Sequence, residues 1–138
     1  MSKHVIVISC DAMVYEDTEI LKKIPPLSHI WEKTARVDRV KSVYPTITYP
    51  CHSTMMTGVY PDKHGILYND YFMPGERKIP WIHFRESIKA PTIFDAVKAV
   101  DPTLKTAAVF WPVTGNDKNI DYLVDEYWPQ TPEETTEE

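Results

Sequence analysis

Apolar residues along this chain recur in two rhythms. Residues 4–9, HVIVIS, form a short β-branched run ending at Cys10-Asp11. That run predicts a buried strand with a carboxylate at its C-terminal end, the edge where open α/β sheets bind ligands. Glu16 to Lys23 predicts a helix that Pro25-Pro26 break; Leu27, Ile30 and Trp31 then recur at helical spacing through Ala35. From Arg36 to Val43 the apolar positions Val37, Val40 and Val43 alternate imperfectly with charged ones, which predicts a second strand. Tyr44 to Pro50 reads as an extended loop. Pro50 opens a helix through His52, Met55 and Met56 to about Thr57, and Gly58 closes it.

Tyr60-Pro61-Asp62-Lys63-His64-Gly65 is turn chemistry, residues 66–73 predict a short strand, and 74–90 have no clear period. Pro91 opens a helix whose apolar face is Ile93, Phe94, Val97 and Val100. Leu104 to Trp111 predicts another buried strand. The alternation of strand and helix favours an α/β fold, a mainly parallel sheet flanked by helices. About three core strands make a thin sheet beside the usual five or six.

Composition narrows the class. The 138 residues are 43% apolar and 25% charged, ordinary values for a globular domain that exclude collagen-like and disordered chains. Net charge is −5, and the last ten residues hold four glutamates and no basic residue, so the tail carries most of it. No basic stripe marks a duplex nucleic acid as partner. A phosphate-handling site would then draw positive charge from a bound metal. Cys10 and Cys51 do not make a disulfide framework, and the first apolar run is too short for a signal core or a membrane span. These features point to a cytoplasmic chain with reduced thiols and no membrane partner.

Asp11 could simply cap a loop after its strand. Thr48 could equally be a plain N-cap. At the start of a helix, however, unpaired N–H groups and the helix dipole favour a phosphoryl anion, and metal coordination can turn a threonine hydroxyl into a nucleophile. Cys51 and His52 do not make a Cys–His pair, because adjacent helical residues point about 100° apart. His52, four residues after Thr48, and His64, before Gly65, read as structural histidines. Cys10 reads as a small buried apolar residue.

Two longer stretches carry a resemblance. VIVISCDA followed by YPTITYPCHSTMMTGVYPDKHGILYND resembles the nucleotide pyrophosphatase/phosphodiesterase (type I phosphodiesterase) family of the alkaline phosphatase superfamily. TIFDAVKAVDPTLKTAAVFWPVTG resembles that family's helix, strand and aromatic-proline segment, so the likeness covers most of residues 4–115. It implies the N-terminal part of an alkaline-phosphatase-like fold. It implies Asp11 as a metal ligand, Thr48 as nucleophile and metal contact, and Asn69 as a donor to a phosphate oxygen. Trp111, Tyr127 or Trp128 would stack on a nucleoside base. Cys51 stands where family members often have asparagine, which puts the bracing of the helix start in question.

The function implied is metal-dependent hydrolysis of phosphodiester or pyrophosphate bonds in small, nucleotide-like phosphoesters, with two divalent ions, zinc by the family pattern. The alternatives are a phosphomonoesterase or phosphonate hydrolase of the same superfamily, or a non-catalytic fragment or phosphate-binding module. No histidine follows His83. The remaining metal ligands are therefore expected beyond residue 138, with 1–128 the N-terminal part of a catalytic domain, 129–138 a frayed acidic tail at a truncation point, and the chain alone inactive.

Overall fold

The computed structural model describes residues 4–37, 39–76 and 80–126. The chain divides into two compact units, Met1–Lys41 and Ser42–Glu138.

In the first unit, residues 4–10 have no regular secondary structure, and Val5, Ile6, Val7 and Ile8 are 66–88% exposed. This corrects the expected buried strand, and the same holds for 36–43, where Val37 and Val40 are exposed and no strand forms. β-branched side chains only favour a strand; the ladder and the covering face stabilise it, and neither run has a ladder partner among the described residues. The helical rhythm fares better. α1 is Asp17–Leu21, with the Asp17 carboxylate accepting from Val14 N–H at 2.9 Å. α2 is Pro25–Trp31, which Pro25 opens as well as separating it from α1, because a first-turn residue needs no N–H partner. Lys22 and Arg36 lie over the Trp31 ring, at 5.6 and 5.8 Å from its centroid.

The second unit holds α3 (Thr48–Thr57), α4 (Pro61–His64), a 3-10 turn (Arg85–Ser87), α5 (Ile93–Val100), β1 (Ala107–Val109) and β2 (Tyr122–Val124). α3 starts two residues before the expected Pro50, which a first-turn position tolerates, and ends at Gly58 in the left-handed region (φ 70°). α4 is a single turn between Pro61 and Gly65 (φ 83°). β1 and β2 pair in parallel, Ala107 opposite Tyr122 and Val109 opposite Val124. The expected strand at 66–73 reduces to one antiparallel bridge, Asp70 with Trp81. The core gathers Tyr49, Met56, Ile66, Ile82, Ile88 and Val113, with Phe94 and Trp111 against it.

α5 is framed by polar groups as much as by its apolar face. Thr92 caps it reciprocally: Asp95 N–H donates to Thr92 Oγ1 at 3.3 Å, and Thr92 N–H donates to Asp95 Oδ2 at 2.6 Å. Arg85 donates to the carbonyls of Ile88 and Ala90 and to Asp95 Oδ2. Asn119 Nδ2 donates to Asp95 Oδ1 at 2.7 Å. Burial alone would raise the Asp95 carboxyl, but the Thr92 backbone N–H, Arg85 and Asn119 together bring it from 3.8 down to about 2. A depressed folded-state pKa means stability present above the unfolded value and lost as pH falls through the folded one. Between about pH 4 and pH 2, the wild type should therefore lose stability more steeply than Asp95→Asn. Acid titration monitored by circular dichroism reads this, and parallel curves would refute it. Burial pushes nearby Asp117 upward, which acts in the opposite sense; the Asp95 charge adds to that rise, so the Asp95→Asn variant keeps only the burial part of it.

Gly115 joins the 83–85 segment to the loop after β1. Its N–H donates to His83 O at 2.9 Å, and Arg85 N–H donates to Gly115 O at 2.8 Å. A Cβ there would lie 2.7 Å from Asp125 Oδ2 and 3.0 Å from the His83 carbonyl oxygen. The carboxylate can swing away, but the carbonyl is held in the bridge. Gly115→Ala should cost about 1–3 kcal/mol, a fall of several degrees in Tm by thermal unfolding. An unchanged Tm would show that the two segments do not meet this closely.

Candidate active site

α3 begins with a shortage of partners. Its N-cap, Ile47, is extended and has no side chain able to cap. The first-turn N–H groups belong to Thr48 and Tyr49, since Pro50 has none. Asn69 supplies the cap from a distance: its Oδ1 accepts from Tyr49 N–H at 2.9 Å. With the amide oxygen so used, the Nδ2 of Asn69 remains a donor near the start of α3, whose first residue is half-buried Thr48.

Backbone pairing holds Asn69 in place. Ile82 N–H donates to Asn69 O at 2.8 Å, and Tyr71 N–H donates to Pro80 O at 3.1 Å, on either side of the Asp70–Trp81 bridge. Trp81 meets the fully buried Tyr49 ring edge to face, with centroids 5.5 Å apart. Burial raises the Tyr49 phenol above its ordinary pKa, and the carboxylates of Glu126 and Asp125 add to the effect.

His52 lies one turn below Thr48. Its Nδ1 is 2.8 Å from the Thr48 carbonyl oxygen, and its ring stands edge-on to Trp111 at 5.1 Å between centroids. Trp111 is half-buried and packs against the core. Cys51 Sγ lies 3.3 Å from Ser42 Oγ, and the helix start itself is capped by Asn69.

His64, wholly buried, accepts from Ile66 N–H at Nδ1 (3.1 Å), which leaves Nε2 to donate to Thr54 Oγ1 at 3.0 Å. Burial lowers its pKa from 6.5, against the pull of Asp62. It is a structural histidine tying α3 to the turn that leads into Asn69.

Asp11 lies in the first unit, exposed and in a turn, followed by Ala12 in the left-handed region (φ 57°). Tyr127 and Trp128 fall outside the described residues. Sequence reasoning missed the bonds from His52 to Thr48 and from Ile82 to Asn69. A histidine four residues after a threonine on one helix was the available signal for the first; the second is a long-range pairing with no local sign.

Among the described residues, no group of three or more His, Cys, Asp or Glu side chains is gathered so that it could hold a metal ion. A zinc site needs about three or four protein donors. The described residues therefore do not by themselves make one, and no step below is routed through a metal. Among them, too, no helix is long and apolar enough to cross a membrane.

Residues 5–137 match the family described as type I phosphodiesterase/nucleotide pyrophosphatase. The chain is similar to an uncharacterized pyrophosphatase/phosphodiesterase of Schizosaccharomyces pombe, 34% identical over 67% of this chain and 20% of that protein. It is 30% identical to ectonucleotide pyrophosphatase/phosphodiesterase family member 1 of Homo sapiens, over 70% of this chain and 11% of the human protein. It is also 30% identical to a bis(5'-adenosyl)-triphosphatase of Mus musculus, over 76% of this chain and 23% of that one. The chain belongs to the type I phosphodiesterase/nucleotide pyrophosphatase family. It spans about a quarter or less of the length of these relatives.

Proposed function

We propose that this chain carries the nucleophile segment of a hydrolase that cleaves phosphodiester or pyrophosphate bonds in nucleotide-like phosphoesters. Thr48 Oγ attacks phosphorus, the alcohol or phosphate leaves with the hydroxyl proton, and the phosphoryl group stays on Thr48 as an ester that still bears the other half of the substrate; water then cleaves the Thr48 Oγ–P bond and frees that half as a phosphomonoester. The observation that supports this reading is the start of α3, where Asn69 Oδ1 accepts from the N–H of Tyr49, the residue that follows Thr48. Asn69 Nδ2 would donate to a non-bridging phosphate oxygen as charge builds there. Half-buried Trp111 is the aromatic proposed to meet a base. The nucleotide-like substrate rests on family membership and on the triphosphatase name of the mouse relative. Two divalent cations, zinc by the family pattern, belong to the proposal, with Asp11 and Thr48 as this chain's oxygen donors.

The test is chemical trapping. The intact protein is mixed with an activated aryl phosphodiester and zinc, quenched in acid, and digested for mass spectrometry. A phosphoryl adduct that keeps the remaining ester group, confined to the Thr48 peptide, is the expected result. Turnover without such an adduct on Thr48 would point to direct attack by water. No turnover on diesters, with hydrolysis of a monoester or a phosphonate, would move the substrate class.

A further inference from the structure

The Thr48 carbonyl and the Tyr49 N–H belong to one peptide unit, and that unit is planar. Two side chains hold it from opposite ends. Asn69 Oδ1 takes the N–H at 2.9 Å, and His52 Nδ1 lies 2.8 Å from the carbonyl oxygen. A carbonyl oxygen only accepts, so Nδ1 carries the proton and donates. His52 is 8% exposed, and Trp111 stands edge-on to its ring, which limits the ring's rotation.

From this clamp we infer that His52 is a positioning residue for Thr48, an assignment that rests on the nucleophile reading above. Rotation of the clamped peptide plane is rotation about the Thr48 Cα–C bond. The clamp therefore fixes how the Thr48 Cα–Cβ bond sits relative to the helix start and to Asn69. A hydroxyl attacking phosphorus needs its line of approach set, and a displacement of about 1 Å at such an atom can cost about a hundredfold in rate. Position N1 of a helix is otherwise a place where the chain frays, because the N–H groups of the first turn have no intrahelical partner. His52 acts on the nucleophile through the backbone and does not touch the substrate.

The ring nitrogen in use sits two bonds from Cβ, as does the side-chain nitrogen of asparagine. His52→Asn thus keeps a donor in place, whereas His52→Leu keeps bulk and removes it. In the intact protein, with an aryl phosphodiester and zinc, His52→Leu should lower kcat about tenfold or more and leave KM within about twofold. His52→Asn should recover most of the loss. Hydrogen exchange supplies a readout independent of turnover: the Tyr49 amide should exchange faster in His52→Leu and near the wild-type rate in His52→Asn, with Met56 as an internal reference. An unchanged kcat in His52→Leu would overturn the assignment. So would His52→Asn behaving like His52→Leu in both readouts, which would assign the histidine to packing against Trp111. Wild-type turnover in a Thr48→Ala control would instead strike the nucleophile reading, while the exchange measurement still decides whether His52 holds the peptide.

Discussion

Thr48→Ala should reduce phosphodiester turnover of the intact protein by about a thousandfold or more, with little change in Tm. Removing a nucleophile removes the covalent route; what remains is attack by water on a bound substrate, and residual rates in such variants come from binding and oxyanion stabilisation alone. The fold should tolerate the change because Thr48 is at N1, half-buried, and its side chain caps nothing. The capping acceptor for the first turn is Asn69, which alanine at position 48 leaves alone. Thr48→Ser should retain a measurable fraction of the rate, since the oxygen stays while the methyl that restricts its rotamer goes. Steady-state hydrolysis of an aryl phosphodiester beside a thermal melt of each variant separates chemistry from folding. Undiminished turnover in the alanine variant would remove Thr48 from the mechanism.

The helices were legible where their ends are written locally. Gly58 closes α3 as expected, the turn expected at 60–65 is the single helical turn between Pro61 and Gly65, and α5 begins two residues after the Pro91 expected to open it, at a Thr92–Asp95 capping box. Each signal lies within one turn of what it controls. The strands were legible only in part, because a strand is stabilised by whatever lies beside it. Residues 4–9 are richer in β-branched side chains than β1, yet it is Ala107–Val109 that forms a ladder, since Tyr122–Val124 pairs with it. β2 is Tyr122-Leu123-Val124, three consecutive apolar residues, too short a run for a period to show. At the candidate site, the family motif singled out Thr48 and Asn69 as separate residues twenty-one positions apart. Their mutual arrangement depends on Ile82 N–H holding the Asn69 backbone and on Tyr49 N–H holding its side chain, and no local pattern encodes either bond.

Those two bonds make Asn69→Asp a sharper probe than truncation. Asn69 does two things with two atoms: Oδ1 accepts from Tyr49 N–H, and Nδ2 is the donor proposed to meet a phosphate oxygen. Aspartate preserves the acceptor and replaces the donor by a second acceptor bearing charge. A carboxylate at a helix N-terminus is favourable, so the start of α3 should be held at least as firmly as in the wild type, and Tm should stay level or rise slightly. Turnover should nevertheless fall by about a hundredfold to a thousandfold, the usual cost of losing one preorganised oxyanion donor, compounded here by repulsion of the anionic substrate. Asn69→Ala should lose both functions, with a similar fall in rate and about 1 kcal/mol less stability. The pair thus separates capping from catalysis at one position. If Asn69→Asp keeps wild-type turnover, Nδ2 does not face the phosphoryl group, and Asn69 is a remote helix cap alone. If Asn69→Asp is destabilised as much as Asn69→Ala, the Tyr49 N–H bond does not hold α3 in the way the geometry indicates, and the two roles cannot be divided between the two atoms.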